Sequence, residues 1–338
     1  VPSSVSTICD NAFSGCISLT SIVIPSSVTK IGNGVFNGCT SIKLNTIPTS
    51  VTEFGDDVFS GCKALNSFAI PNSLIAIGDN VFSGCTALTS ISIPNTILSI
   101  GNKAFAGCSL IQSISVPASV TTLGNEVFKG CSQLRQMTIP NSVSNIGHSV
   151  FQDCPLLSQL AIQSTSLNSI KPNFCYGCSL LGGFAIPSPV KSLSENCFYG
   201  CLNLNSISIP STVKRIGKCS FRLCRILKQV TIPDSVIAID DGAFYDCISL
   251  TSMTIPTSVK MIGSNVFSGC CSMTQIIIPG SVQMIKNDCF IGCYKLAKVT
   301  MNPYQTVLER NAFDDCESLI NLTFDSSVDS IDNFDFTL

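Results

Sequence analysis

Leu88-Thr89-Ser90-Ile91-Ser92-Ile93-Pro94, continuing through Ile97 to Ile100-Gly101-Asn102-Lys103-Ala104-Phe105-Ala106-Gly107-Cys108, is one turn of a repeat, and its reading decides the fold. After Cys85, apolar residues return at Leu88, Ile91, Ile93, Ile97, Ile100 and Phe105 before Cys108 closes the unit. The alternation Ile91-Ser92-Ile93 is that of a half-buried strand. Pro94 lacks an N–H and fixes φ, which suits a strand exit. Ile97 and Ile100 form a second apolar pair for the opposite wall, as Val28 and Ile31 do in an earlier unit. The short segment around Phe105 is too brief for a full helix and predicts a 3₁₀ turn.

Working outward, Phe recurs every 23 residues from Phe13 through Phe36, Phe59, Phe82, Phe105 and Phe128 to Phe151. The same step resumes at Phe198 and runs through Phe221, Phe244, Phe267, Phe290 and Phe313 to Phe336. Between Cys154 and Cys178 the step is 24, Cys175 stands in the Phe slot, and the extra residue falls within 163–166. Cysteine keeps the same clock from Cys16 to Cys316, with Cys85, Cys108 and Cys131 in the most regular stretch. Glycine precedes these cysteines except at Asp153, Asp246, Asp315 and Leu223, a pattern that predicts a left-handed backbone position.

One such unit buries too little to offset the entropy of ordering its chain, so neighbouring units must stack. Strands then pair in parallel at about 4.8 Å per coil. The fold read from the repeat is a solenoid with a parallel β-sheet on the inner face and short strands, turns and 3₁₀ segments on the outer wall. The whole chain, 1–338, is expected to be one such domain of about 14 coils. The 12% charged content, net charge of −2 and pI near 5.4 argue against wholesale nucleic-acid binding. No run of apolar residues is long enough to span a membrane. Val1 and Leu338 both fall mid-pattern, so the chain reads as a fragment of a longer protein.

The unit running from Leu88 to Cys108 resembles the BspA-like, or Treponema pallidum-type, leucine-rich repeat, and the likeness covers essentially the whole chain. The resemblance implies a horseshoe or arc of leucine-rich repeats, a surface or secreted location, and adhesion to host cells or matrix. Two units depart from the pattern: Asn45 occupies a core slot, and Met301-Asn302-Pro303 replaces Ile-Pro.

Chemistry-bearing residues are few. The in-phase cysteines, with Phe82, Phe105 and Phe128, are expected to be a buried structural ladder. Cys9, Cys175, Cys197, Cys219, Cys271 and Cys289 lie out of phase. One pair among Cys175, Cys197 and Cys219 could bridge in an oxidising compartment, and Cys175-Tyr176-Gly177-Cys178 fits C-x-x-C. His148 is the single histidine and stands in a turn slot, so neither a histidine base nor a zinc site is expected. The reading is of no enzyme and no cofactor.

Surfaces remain. Ser67, Ser90, Ser92, Ser113, Ser115, Gln136, Thr138 and Gln159 point outward from the inner sheet with Arg135 at their edge, a flat hydrogen-bonding face for a protein or glycan partner. Charge changes at the outer turn positions Asn102, Asn125 and Ser149 are expected to leave binding unchanged. Lys214, Arg215, Lys218, Arg222, Arg225 and Lys228 make a second candidate, an anion patch for a sulfated glycan or acidic protein. Acids gather in the last thirty residues, from Glu309 to Asp335. The rival to an adhesion ectodomain is an intracellular or structural scaffold for protein–protein interaction.

Overall fold

The computed structural model describes residues 1–301, 307–309 and 311–324. Asn302, Pro303, Arg310, the acids from Asp325 onward and Phe336 lie outside them. The chain divides into two compact units, Val1–Leu167 and Asn168–Leu338, and the one-residue insertion lies just before the boundary. Each unit is a parallel β-solenoid built from the 23-residue coil.

In the first unit, Ser67–Ala69 pairs in parallel with Ser90–Ser92, and Gln136–Ile139 with Gln159–Ile162. Ser113 bridges to Gln136 between them. Partners are one repeat apart, Ser67 facing Ser90 and Gln136 facing Gln159. Met137 and Ile139 turn inward while Gln136 and Thr138 face solvent, as the alternation requires. Asn45, in the core slot of an earlier coil, is exposed, and among the described residues that coil joins this sheet only through the bridge from Thr46 to Ala69. In the second unit Gly183–Ala185 pairs with Ser206–Ser208, and Ser252–Thr254 leads a ladder through Gln275–Ile277 and Lys298–Met301 to Asn321–Phe324. Met301 is buried and prolongs its strand where Ile stands in other coils.

The opposite wall is also a sheet. Ala76–Ile77, Ser99–Ile100, Thr122–Leu123 and Asn145–Ile146 form a four-stranded parallel ladder in the first unit. Seven two-residue strands, from Ser169–Ile170 to Val307–Leu308, form another in the second.

The expected 3₁₀ segments are plain turns among the described residues. The reason is where the amides go. Lys103, Phe105 and Gly107 donate to the next coil, at Asn125, Val127 and Lys129, while only Ala106 and Cys108 bond locally. An i→i+3 run cannot form when alternate N–H groups leave the coil. The left-handed position before the cysteine is present, with φ of 72° at Gly107, 58° at Asp153 and 63° at Leu223. A second left-handed slot, unread in the sequence, lies two residues before each Phe, at Asn80, Lys103 and Glu126 among others.

Between the walls the Phe rings stack. Phe82 and Phe105 lie 5.5 Å apart at 2°, Phe105 and Phe128 5.8 Å apart at 6°, and the second unit repeats this from Phe198 to Phe313. Beside them Cys85, Cys108 and Cys131 are fully buried.

Candidate functional site

The first sheet presents the residues its alternation assigns to solvent. Ser90, Ser92, Ser113, Ser115, Gln136, Thr138 and Gln159 are exposed, and Ser67 is half-buried. Most are small. Where the long side chains of three consecutive coils meet, an open depression of about 340 Å³ forms, lined by Gln112, Ser113, Arg135, Gln136, Ser158 and Gln159. The register places Ser113, Gln136 and Gln159 in one row and Gln112, Arg135 and Ser158 in the row beside it. The Ser158 hydroxyl donates to the Arg135 carbonyl at 3.2 Å. Arg135 is exposed and belongs to none of the ion pairs among the described residues. One guanidinium and three carboxamides can bind a carboxylate and the hydroxyls or amides around it.

The six cations of the second candidate do not converge. They follow one coil around its circumference. Arg215 lies in the second-wall strand Arg215–Ile216 and donates through Nε to Asp240 at 2.7 Å, a pair that raises its pKa. Lys214 precedes it, Lys218 follows Gly217 beyond the strand, and Lys228 sits at the start of the first wall. Arg222 is different. Its guanidinium lies 4.1 Å from the centre of the Tyr245 ring and 5.7 Å from that of Tyr199, a cation held between two aromatic faces. Its Nε is buried with no acceptor, an arrangement that costs about 1–3 kcal/mol unless other contacts offset it. Tyr199 in turn stacks on Tyr176, ring centres 4.7 Å apart at 10°. The tyrosines escaped the sequence reading, although Tyr176, Tyr199, Arg222 and Tyr245 share one repeat slot, the position after the Phe slot.

Several polar residues serve the fold. Asp79 accepts from the Asn102 amide at 2.6 Å, Asn102 from Asn125 at 2.8 Å, and Asn125 from His148 at 3.0 Å. Ser149 is 3% exposed and left-handed, with φ of 56°. Asn102 and Asn125 therefore hold adjacent coils together and Ser149 is packed inside, so changing them would disturb the fold. The glycine before this slot is required too. A Cβ on Gly101 would stand 2.6 Å from the carbonyl carbon of Gly78. His148 is exposed and lies 3.2 Å, through Nδ1, from the Ser149 hydroxyl.

The cysteine ladder is bonded as well as packed. From Cys39 onward the ladder thiols donate to the Phe-slot carbonyl of the preceding coil, as Cys85 does to Phe59 at 3.1 Å and Cys131 to Phe105 at 3.3 Å. Cys16, expected in the buried ladder, is instead exposed in the first coil, with no Phe-slot coil before it to accept its thiol. Burial pushes the Cys85 and Cys131 thiols up to about 12, the backbone hydrogen bond opposing the rise. Of the out-of-phase set, Cys9 is exposed, Cys271 half-buried, and Cys197, Cys219 and Cys289 are buried free thiols. Cys175 and Cys178 are both buried, Cys175 in the Phe slot as expected. Among the described residues no three His, Cys, Asp or Glu side chains gather to hold a metal ion, and no helix is long and apolar enough to cross a membrane.

A family model described as the BspA type leucine rich repeat region (6 copies) matches three overlapping stretches of the chain, residues 1–112, 98–228 and 214–337. A leucine-rich repeat protein from Bacteroides ovatus is 33% identical, covering 83% of this chain and 72% of its own, with a TM-score of 0.76. One from Eubacterium ventriosum is 21% identical over 89% and 80%, with a TM-score of 0.55. The pneumococcal vaccine antigen PcpA is 19% identical over 89% and 68%, with a TM-score of 0.53, a likeness of fold. Comparison with curated proteins gives no match.

Proposed function

Because the chain belongs to the BspA-type leucine-rich repeat family, we propose that it is a non-enzymatic recognition module, secreted or displayed at a cell surface. In this reading it adheres to a host-cell, matrix or glycan partner through the face of its first sheet, and the two units serve as parts of one repeat array. The observation that supports it is the depression around Arg135, where an exposed guanidinium without an ionic partner is set among Gln112, Gln136 and Gln159. The rest of the face is small and flat, so each contact contributes little and binding relies on avidity.

The test is multivalent display on beads over immobilised matrix protein or host cells. Ser90→Arg, Ser113→Glu and Gln136→Glu together should abolish capture without unfolding the chain. Charges placed instead on the turn wall, at Ser60, Ser83 and Ala106, should leave it intact, because that slot accepts Lys129 and Gln152 in neighbouring coils. Capture retained by the sheet variant and lost by the turn variant would refute the assignment.

The rival is an intracellular scaffold, in which Cys197, Cys219 and Cys289, all buried, would stay reduced. Their burial also shields them from an oxidant. Mass spectrometry of thiols in protein from its native source decides the matter, since a disulfide among them excludes the intracellular reading.

A further inference from the structure

We propose that the turn wall of the second unit is a docking surface for an acidic segment of a partner protein. This goes beyond the first-sheet reading and uses other residues.

In the first unit the slot after the Phe holds Ser14, Asn37, Ser60, Ser83, Ala106, Lys129 and Gln152. The fold thus asks nothing larger of that position. In the second unit the same slot holds Tyr176, Tyr199, Arg222 and Tyr245 in succession, stacked ring on ring and ring on guanidinium. Large apolar residues one or two positions after the cysteines of these coils stay exposed: Leu202 at 40%, Ile226 at 38% and Ile248 at 40%. Further along the same unit, Tyr294 after Cys293 folds back over its own turn, its hydroxyl 3.8 Å from where a Cβ on Gly292 would stand. The strip therefore combines Tyr, Arg and aliphatic surface, the composition of an energetic protein interface and the one the first sheet lacks.

The chemistry of the occupant follows from charge and from ring geometry. Residues 196–233 contain six cations and no acid. Arg215 alone among them is paired, with Asp240, which leaves Lys218, Arg222 and Arg225 to attract an acidic partner. A stacked sugar is disfavoured relative to a polypeptide because one face of each end ring is already taken, Tyr176 by Tyr199 and Tyr245 by Arg222, and the cations beside them favour carboxylates. The strip offers a ligand ring edges, hydroxyls, the guanidinium edge and aliphatic surface, which suits side chains and backbone of a polypeptide. Stacking also fixes Arg222 before the partner arrives, so little side-chain freedom is lost on binding.

The experiment measures binding of the whole chain to a soluble glutamate–tyrosine copolymer, with heparin and phosphatidylserine vesicles as parallel probes. Arg222→Ser and the pair Tyr199→Asn with Tyr245→Ser install residues that the first unit already carries in this slot, so the coil is retained, and thermal unfolding verifies it. The expected result is copolymer binding that falls at least tenfold in both variants and is unchanged in Ser83→Ala and in the first-sheet triple variant. No copolymer binding, or equal binding by wild type and the strip variants, overturns the proposal. Heparin or vesicles held more tightly than the copolymer through the same residues overturns it in favour of a glycan or lipid headgroup.

Discussion

The thiol of Cys108 donates to the carbonyl oxygen of Phe82, 3.1 Å away and one coil back, and the same oxygen accepts the Cys85 amide at 3.1 Å. A cysteine here therefore contributes volume and a hydrogen bond across the coil junction. Alanine would lose both, and serine would place a shorter, more polar group in an apolar slot. Cys108→Ala should cost about 1–3 kcal/mol, read as a shift in the urea midpoint, whereas a change below 0.5 kcal/mol would mean that the thiol is filler.

The ladder also makes the fold sensitive to alkali. Burial raises the Cys85, Cys131, Cys197 and Cys316 thiols from an ordinary 9.0 to about 12. A raised folded pKa means that the folded state holds protons the unfolded state releases, so stability is full below pH 9 and is lost as pH climbs toward 12. The denaturation midpoint should be flat from pH 7 to 8 and fall steadily above 9. Under native conditions at pH 8, a thiol reagent should label the exposed Cys9 and Cys16 at once and these four only on unfolding.

Phe105 is fully buried between Phe82 and Phe128. Phe105→Ala should destabilise by about 3–5 kcal/mol, and a loss under 1 kcal/mol in a denaturant titration would contradict the stacked core.

Asn102 is exchangeable only for a residue that keeps the acceptor. Asn102→Ala strands the Asn125 amide and should cost about 1–2 kcal/mol, while Asn102→Asp should be mild, because Asp56 and Asp79 do the same work in earlier coils. Equal melting temperatures for the two variants would remove this slot from the account of stability.

Leu223 holds φ at 63° in a position where most coils have Gly. A non-glycine residue there is held at a cost of about 1–2 kcal/mol, so Leu223→Gly should raise stability by about 1 kcal/mol, and a lowered melting temperature would show that packing of the leucine outweighs backbone relief.

The sequence by itself determined the coil. A 23-residue clock in Phe, Cys and Pro specifies which side chains are buried, where the first strand runs and where Gly107 or Asp153 must turn left-handed, because burial and φ follow from a residue's own type and phase. Only the tertiary structure decided what the polar residues do. Asn102 and Arg135 both read as outward-facing, yet Asn102 bonds the next coil while Arg135 stays exposed in an open depression. Arg215 and Arg222, seven residues apart, read as one basic patch, yet one is paired with Asp240 and the other is held between Tyr199 and Tyr245. These outcomes depend on contacts between residues 22–26 positions apart, and periodicity brings such residues to adjacent coils without fixing the rotamers and partners that distinguish a structural side chain from a free one.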